Sequence, residues 1–188
     1  MELKLISDIP PSVNHYLAYR GVIKNGKPIA SSYVTTVAAK YKSDFTSYVI
    51  EEVKRQGWNF PVTKTQHFYV DTVFYFPRVD MDGNNYFKVM LDAITDSQLI
   101  WADDNVVCER VQGIFYDTVN PRVELTITPV DYIGVFNDSL QLDDFISNNC
   151  IGCTRYTRNC SILNKAKSGK IQEECDGIIC KKKKVKQS

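Results

Sequence analysis

"HFYVDTVFYF", residues 67–76, is followed by "NNYFKVMLDAITD" (84–96) and then by "VVCERVQGIFYD" (106–117). The first run is dense in β-branched and aromatic residues and predicts a strand. In the second, Phe87, Met90, Leu91 and Ile94 recur at helical spacing and predict the buried face of a helix over about 84–96. The third predicts another strand. Strand, helix and strand in succession describe the middle of a sheet with a helix laid on its face.

Outward from this centre, "ELKLIS" (2–7) alternates apolar and polar residues and predicts a first strand. "DIPPSVNHYLAYRG" (8–21) reads as an irregular, non-helical segment because of its prolines and asparagine. From Ser31 or Ser32 as N-cap, Val34, Val37, Ala38, Tyr41, Phe45, Tyr48, Val49 and Val53 recur at helical spacing, and Gly57 supplies the stop. "RVELTITPV" (122–130) is a last strand, joined to its predecessor by "TVNP" as an expected antiparallel hairpin. The order β-α-β-α-β-β predicts an α+β domain, a mixed sheet with two helices, over residues 1–131. Residues 132–149 read as a polar linker with room for a short helix, and 150–188 as a cysteine-rich tail.

Charge divides along the same line. Residues 1–149 carry a net −6 and residues 150–188 a net +7, which together give the +1 of the whole chain. An acidic body with a basic tail implies two different tasks. No apolar run reaches the roughly 18–20 residues of a membrane span, and the N-terminus lacks a signal-peptide pattern. The expectation is an intracellular, cytoplasmic protein without membrane contact.

Cys108 stands alone in the body and is expected in its core, while Cys150, Cys153, Cys160, Cys175 and Cys180 crowd the tail. Without a secretory signal, metal ligation explains them better than disulfides. "CIGCTRYTRNC" (150–160) has the C-x2-C-x6-C spacing. It predicts a zinc site of Cys150, Cys153, Cys160 and Cys180, with Cys175 as the alternative fourth ligand at the end of a helix "KSGKIQEEC" (167–175). An iron–sulfur cluster is the less favoured metal. Arg155, Arg158 and "KKKKVK" (181–186) surround the site with positive charge suited to phosphate.

Acidic residues gather around the central helix. Asp80 and Asp82 precede it, Asn84, Lys88 and Asp92 form a polar stripe at i, i+4 and i+8, and Asp103 and Asp104 follow it. Helix caps and a surface ion pair would account for each element singly. Together, carboxylates from separate elements beside a lysine suit a divalent metal that assists phosphodiester hydrolysis. Spacing leaves both accounts open. With only His15 and His67, no histidine-based site is supported.

"DGNNYFKVMLDAITDSQLIWADDNVV" (82–107) resembles the signature of RusA-type Holliday-junction resolvases. That signature is an Asp-x-Asp-Asn run, a lysine three residues on, a "LLDAL"-like helix and an Asp-Asp pair. "IPPSVNHYLAYRG" (9–21) resembles the family's Pro-Pro-Ser-x-Asn opening, so the likeness covers about residues 1–130. It implies a homodimer that uses Mg²⁺ or Mn²⁺ to nick four-way DNA junctions in symmetric pairs, in recombination and repair. Aligned on Lys88, the family's two leading aspartates fall on Asp82 and Asn84, the second an amide here. Either Asn84 ligates through its carbonyl, or Asp80 joins Asp82 in a longer loop eased by Gly83, which is the expectation. Asp104 matches the third catalytic carboxylate with Asp103 beside it, Lys88 matches the family's lysine, and Asp92 is a structural partner. DNA contacts are expected from Arg20, Lys24, Lys27 and Arg78 as well as Arg155 and Arg158. The rival functions are a catalytically inactive DNA-binding protein using the basic zinc tail, and a nuclease for other branched DNA.

Overall fold

A computed structural model describes residues 1–63, 66–170, 174–176 and 179–185, with Thr157 and Asp176 described by backbone alone. The chain divides into two compact units, Met1–Val62 with Phe68–Thr128, and Thr63–His67 with Pro129–Ser188.

The first unit is α+β. Its sheet has the order β1–β6–β4–β5. β1 (Leu3–Ser7) pairs antiparallel with β6 (Arg122–Pro129), and β4 (Phe68–Phe76) pairs parallel with β5 (Val107–Tyr116). Along β4, buried residues alternate with half-buried ones, the period of a strand with one core face. α3 (Phe87–Asp96) joins β4 to β5 and buries Phe87, Met90, Leu91 and Ile94, the face that its spacing predicts. α2 (Thr36–Arg55) adds Phe45, Val49 and Val53 to the same core. The helices are tied by Thr46 Oγ1, which donates to the Ala93 carbonyl at 2.8 Å. Trp101 is fully buried, and its indole N–H donates to Thr95 Oγ1 at 2.7 Å, so burial leaves no orphan donor there.

The first corrected expectation is the turn after β5. "TVNP" does not close a hairpin, because β4 lies between β5 and β6. α3 carries the chain back across the sheet, so β5 starts level with β4 and runs parallel to it. β6 then takes the far side of β4, where Val123, Leu125 and Ile127 are buried. Passing over one strand means about 10 Å, within reach of residues 117–121.

Secondly, the segment after Asp8 is regular rather than irregular. α1 (Val13–Tyr16) is a single helical turn, and β2 (Leu17–Lys24) and β3 (Lys27–Val34) form an antiparallel ribbon. Asn25 and Gly26, with φ of 52° and 73°, make its turn. Asn-Gly is the pair that a two-residue hairpin turn demands, so the sequence did carry this signal. Ser31 and Ser32 belong to β3. The helix begins after Thr35, whose Oγ1 accepts the Ala38 N–H at 3.3 Å, and Gly57 (φ 66°) lies just past its end. Thirdly, Cys108 is exposed rather than buried, because β5 is an edge strand.

The second unit holds α4 (Ser139–Phe145), a π-helical turn (Ile146–Cys150), α5 (Ser161–Lys167) and the short strands β7 (Cys175–Asp176) and β8 (Ile179–Cys180). Phe136, Leu142 and Phe145 pack with Cys150, Leu163 and Ala166. Residues 132–149, expected as a linker with room for a short helix, carry that helix as α4 and also supply half of this core. The helix expected over 167–175 is replaced by α5, which ends at Lys167, and Cys175 opens β7. Residues 171–173 and Lys186 lie outside the described residues. No described helix is long and apolar enough to cross a membrane.

Candidate active site

Two aspartates cap short 3-10 turns that lead into the central elements. Asp82 Oδ1 accepts the Asn84 N–H at 3.1 Å, just before α3, and Asp103 Oδ1 accepts the Asn105 N–H at 3.0 Å, just before β5. Each cap engages one carboxylate oxygen. Gly83 sits inside the first turn and is buried, and a Cβ there would lie 3.0 Å from the Phe74 ring. The glycine thus serves close packing, not the unusual backbone angles expected of it. Asn84 lies in this turn rather than on α3, so the helical stripe reduces to Lys88 and Asp92.

Lys88 is the hub. Its Nζ donates to Asp92 Oδ1 at 2.7 Å and to Asp104 Oδ2 at 3.2 Å. The hydrogen bond to Asp92, helped by that to Asp104, holds the lysine pKa above its usual value, so the amine is cationic throughout the working range. Asp92 also accepts from Tyr16 Oη at 2.7 Å. Burial first, then this bond and the Asp92 charge, push the tyrosine up to about 12. Glu109, on β5, stands close enough to feel both charges. Loss of hydration raises its pKa and Lys88 opposes the shift, while Asp104 adds to it.

Tyr16 and Glu109 are the members that sequence reasoning missed. The Tyr16 contact spans 76 residues, so no local spacing could announce it. Glu109 comes to the cluster on β5.

Asp80 and Asp82 form a separate group with Arg78 and Tyr86. Arg78 Nε lies 2.9 Å from Asp80 Oδ1, with the Asp80 side chain 66% exposed. Burial raises the Tyr86 pKa, Arg78 opposes, and both aspartates add to the rise. The structure therefore brings Lys88, Asp92 and Asp104 together, and sets Asp80 against Arg78. Among the described residues, no three of His, Cys, Asp and Glu are grouped so as to hold a metal ion.

In the second unit, Cys150, Cys153, Cys160 and Cys180 line one narrow cavity, and Cys175 stands opposite Cys180 across β7 and β8. Cys150, Cys153, Cys160 and Cys180 form no disulfide. The Lys184 N–H points to Cys153 Sγ at 3.5 Å, and this bond, with those from the Arg155 and Tyr156 amides, lowers the Cys153 pKa against its burial. Burial, then the charges of the other four tail thiols, push Cys150 up to about 11. Arg155, Arg158 and Lys184 line an open concavity beside Cys160. Arg20, Lys24 and Lys27 are exposed on the β2–β3 ribbon.

A search of curated proteins found no match. The family model for endodeoxyribonuclease RusA matches residues 9–128, which include α1, the ribbon, the Lys88 cluster and both capped turns. Because that match covers more than half of the chain, the protein belongs to the RusA endodeoxyribonuclease family.

Proposed function

We propose that this RusA-family endodeoxyribonuclease is a Mg²⁺- or Mn²⁺-dependent enzyme that resolves four-way DNA junctions by paired symmetric nicks in recombination and repair. The observation that carries the proposal is Lys88, a cation held between Asp92 and Asp104 at the N-terminal approach to β5. Asp82 and Asp104 would hold the ion, with Asp80, Asn84 and Asp103 as further oxygen donors. This donor set is all hard oxygen and fits Mg²⁺ or Mn²⁺. Bound there, the ion would supply charge neutralisation and an activated water. Lys88 donates to a phosphate oxygen as negative charge builds on it. Asp92 takes Lys88 on one oxygen and Tyr16 on the other, and so orients the amine. A homodimer matches the two-fold symmetry of a junction and sets one site against each of two strands. Arg78 is a phosphate contact once DNA displaces Asp80 from it.

We read the tail as a Zn²⁺ module of Cys150, Cys153, Cys160 and Cys180. Their shared cavity supports that set over one with Cys175. Thiolates suit zinc, and Arg155 and Arg158 beside it suit DNA phosphate. Metal analysis of the purified protein tests this: one zinc per chain is expected, and iron with a brown colour would replace zinc by a cluster.

The main test incubates the protein with a synthetic four-way junction in Mg²⁺ or in EDTA. Symmetric nicks in Mg²⁺ alone are expected, and Asp104→Asn is expected to bind without cutting. A non-catalytic DNA-binding protein is the rival, favoured by the Asn84 amide where the family carries a carboxylate. Junction binding without cutting in Mg²⁺ or Mn²⁺ would establish it. Cutting of flaps or forks but not of junctions would assign another branched substrate.

A further inference from the structure

The β2–β3 ribbon has no buried residue. An isolated two-stranded ribbon is marginal in water, so a ribbon of eight-residue strands without a core is built to be covered. Its chemistry says by what. There is no Asp or Glu between Asp8 and Asp44. The register pairs Arg20 with Ser31, Val22 with Ile29 and Lys24 with Lys27, so all three cations lie on one face, together with Tyr33. Arg20 sits over the Tyr33 ring at 5.6 Å, and none of the three forms an ion pair among the described residues. The opposite face carries Tyr19 and Ile23, which are 73% and 80% exposed.

The root of the ribbon is the catalytic cluster. Thr35 N–H donates to the Tyr16 carbonyl at 3.0 Å, closing the base, and the Tyr16 hydroxyl reaches Asp92, which holds Lys88. Whatever the ribbon grips is led to Lys88.

We infer that the β2–β3 ribbon is a DNA arm: Arg20, Lys24 and Lys27 take backbone phosphates of a duplex arm, and Tyr19 and Ile23 pack on the base faces left open at the branch. This rests on the branched-DNA function proposed above. At about 3.3 Å per residue the ribbon is about 26 Å long, and two strands fit the roughly 12 Å major groove. Each phosphate contact contributes about 0.9 to the salt slope of binding. An aromatic ring stacks on any base, which suits recognition of shape over sequence.

The experiment measures affinity for a junction and for linear duplex against salt, using full-length protein. Changing Arg20, Lys24 and Lys27 together to Gln is expected to lower the salt slope by two to three, and an unchanged slope overturns the arm. Tyr19→Ser with Ile23→Ser is expected to reduce the preference for junction over duplex by tenfold or more. If those two changes instead dissociate a dimer and leave the preference intact, the face belongs to a second copy of the chain and the inference falls. Because Tyr16 and Thr35 are hydrogen-bonded to each other, replacing residues 18–33 by a short glycine linker gives a second variant, expected to lose both effects at once. Wild-type protein that ignores branched DNA would sink the proposed function itself. Wild-type action with unaltered ribbon variants would sink the arm alone.

Discussion

Lys88 Nζ lies 3.2 Å from Asp104 Oδ2, joining the helix after the first acidic turn to the turn that contains the last carboxylate. Because neighbouring carboxylates hold the amine in its charged form, the lysine does not titrate in the working range, and the role proposed for it is electrostatic.

Lys88→Met should therefore lower single-turnover cleavage of a junction by about 10²–10³-fold, with junction affinity little changed. Lys88→Arg restores charge but not the compact geometry and should recover only part of the loss. A Lys88→Met enzyme cutting at the wild-type rate would remove the residue from the chemistry.

Tyr16 stands one bond further back, hydrogen-bonded to Asp92, and the proposed site gives it a positioning role. Tyr16→Phe keeps the ring and removes the donor to Asp92 Oδ2. The loss of one charge-assisted hydrogen bond, about 1.5–3 kcal/mol, should show as a lower cleavage rate at saturating DNA, with KM nearly unchanged. A change confined to KM would mean that the hydroxyl meets DNA rather than orienting Asp92.

How far this site was legible in the sequence follows from the range of each interaction. Lys88 and Asp92 stand four positions apart, so helix geometry makes that pair readable, whereas Asp104 lies beyond the helix and was indicated by the family resemblance. The core face of α3 was equally open, since it depends only on period. Tyr16 was hidden because its contact is long-range, and the position of β6 because strand order depends on which edge of β4 remains free after the α3 crossover. The ribbon is different. Asn25-Gly26 is a local signal for a hairpin turn, and it lies just beyond the 8–21 stretch whose prolines and asparagine read as irregular. Gly83 was noticed for the wrong reason: the sequence marks a glycine, and only the packed Phe74 ring tells whether φ or space requires it.

That last distinction has a measurable consequence. In Gly83→Ala the new methyl must displace the Phe74 ring by a few tenths of an ångström, starting from 3.0 Å. Overpacking of this kind costs about 1–3 kcal/mol, or a Tm lowered by roughly 2–4 °C per kcal/mol for a chain of this size. Phe74→Leu in the same protein frees the space, so the double variant should be more stable than the sum of the single effects. Strictly additive losses would show that the two residues do not compete for space.

Asp71 and Arg110 make a prediction about acid stability. They are cross-strand partners of the parallel β4–β5 pair, and Arg110 Nε donates to Asp71 Oδ1 at 2.7 Å. The guanidinium contact, chiefly, and Gln112 beside it hold the Asp71 carboxyl below its usual range, against partial burial. A carboxyl depressed in the folded state binds its proton more readily when the chain unfolds. The pair therefore stabilises the fold above the unfolded pKa of about 3.9, and that contribution disappears as pH falls through the lower folded value. Asp71→Asn should consequently be less stable than wild type by a constant margin from pH 6 to 8. The margin should close below pH 4, where the wild-type carboxylate is itself protonated. Parallel urea titrations across this range measure it, and a margin that persists unchanged at pH 3 would mean that the amide disturbs packing on β4 rather than removing an ionic contact.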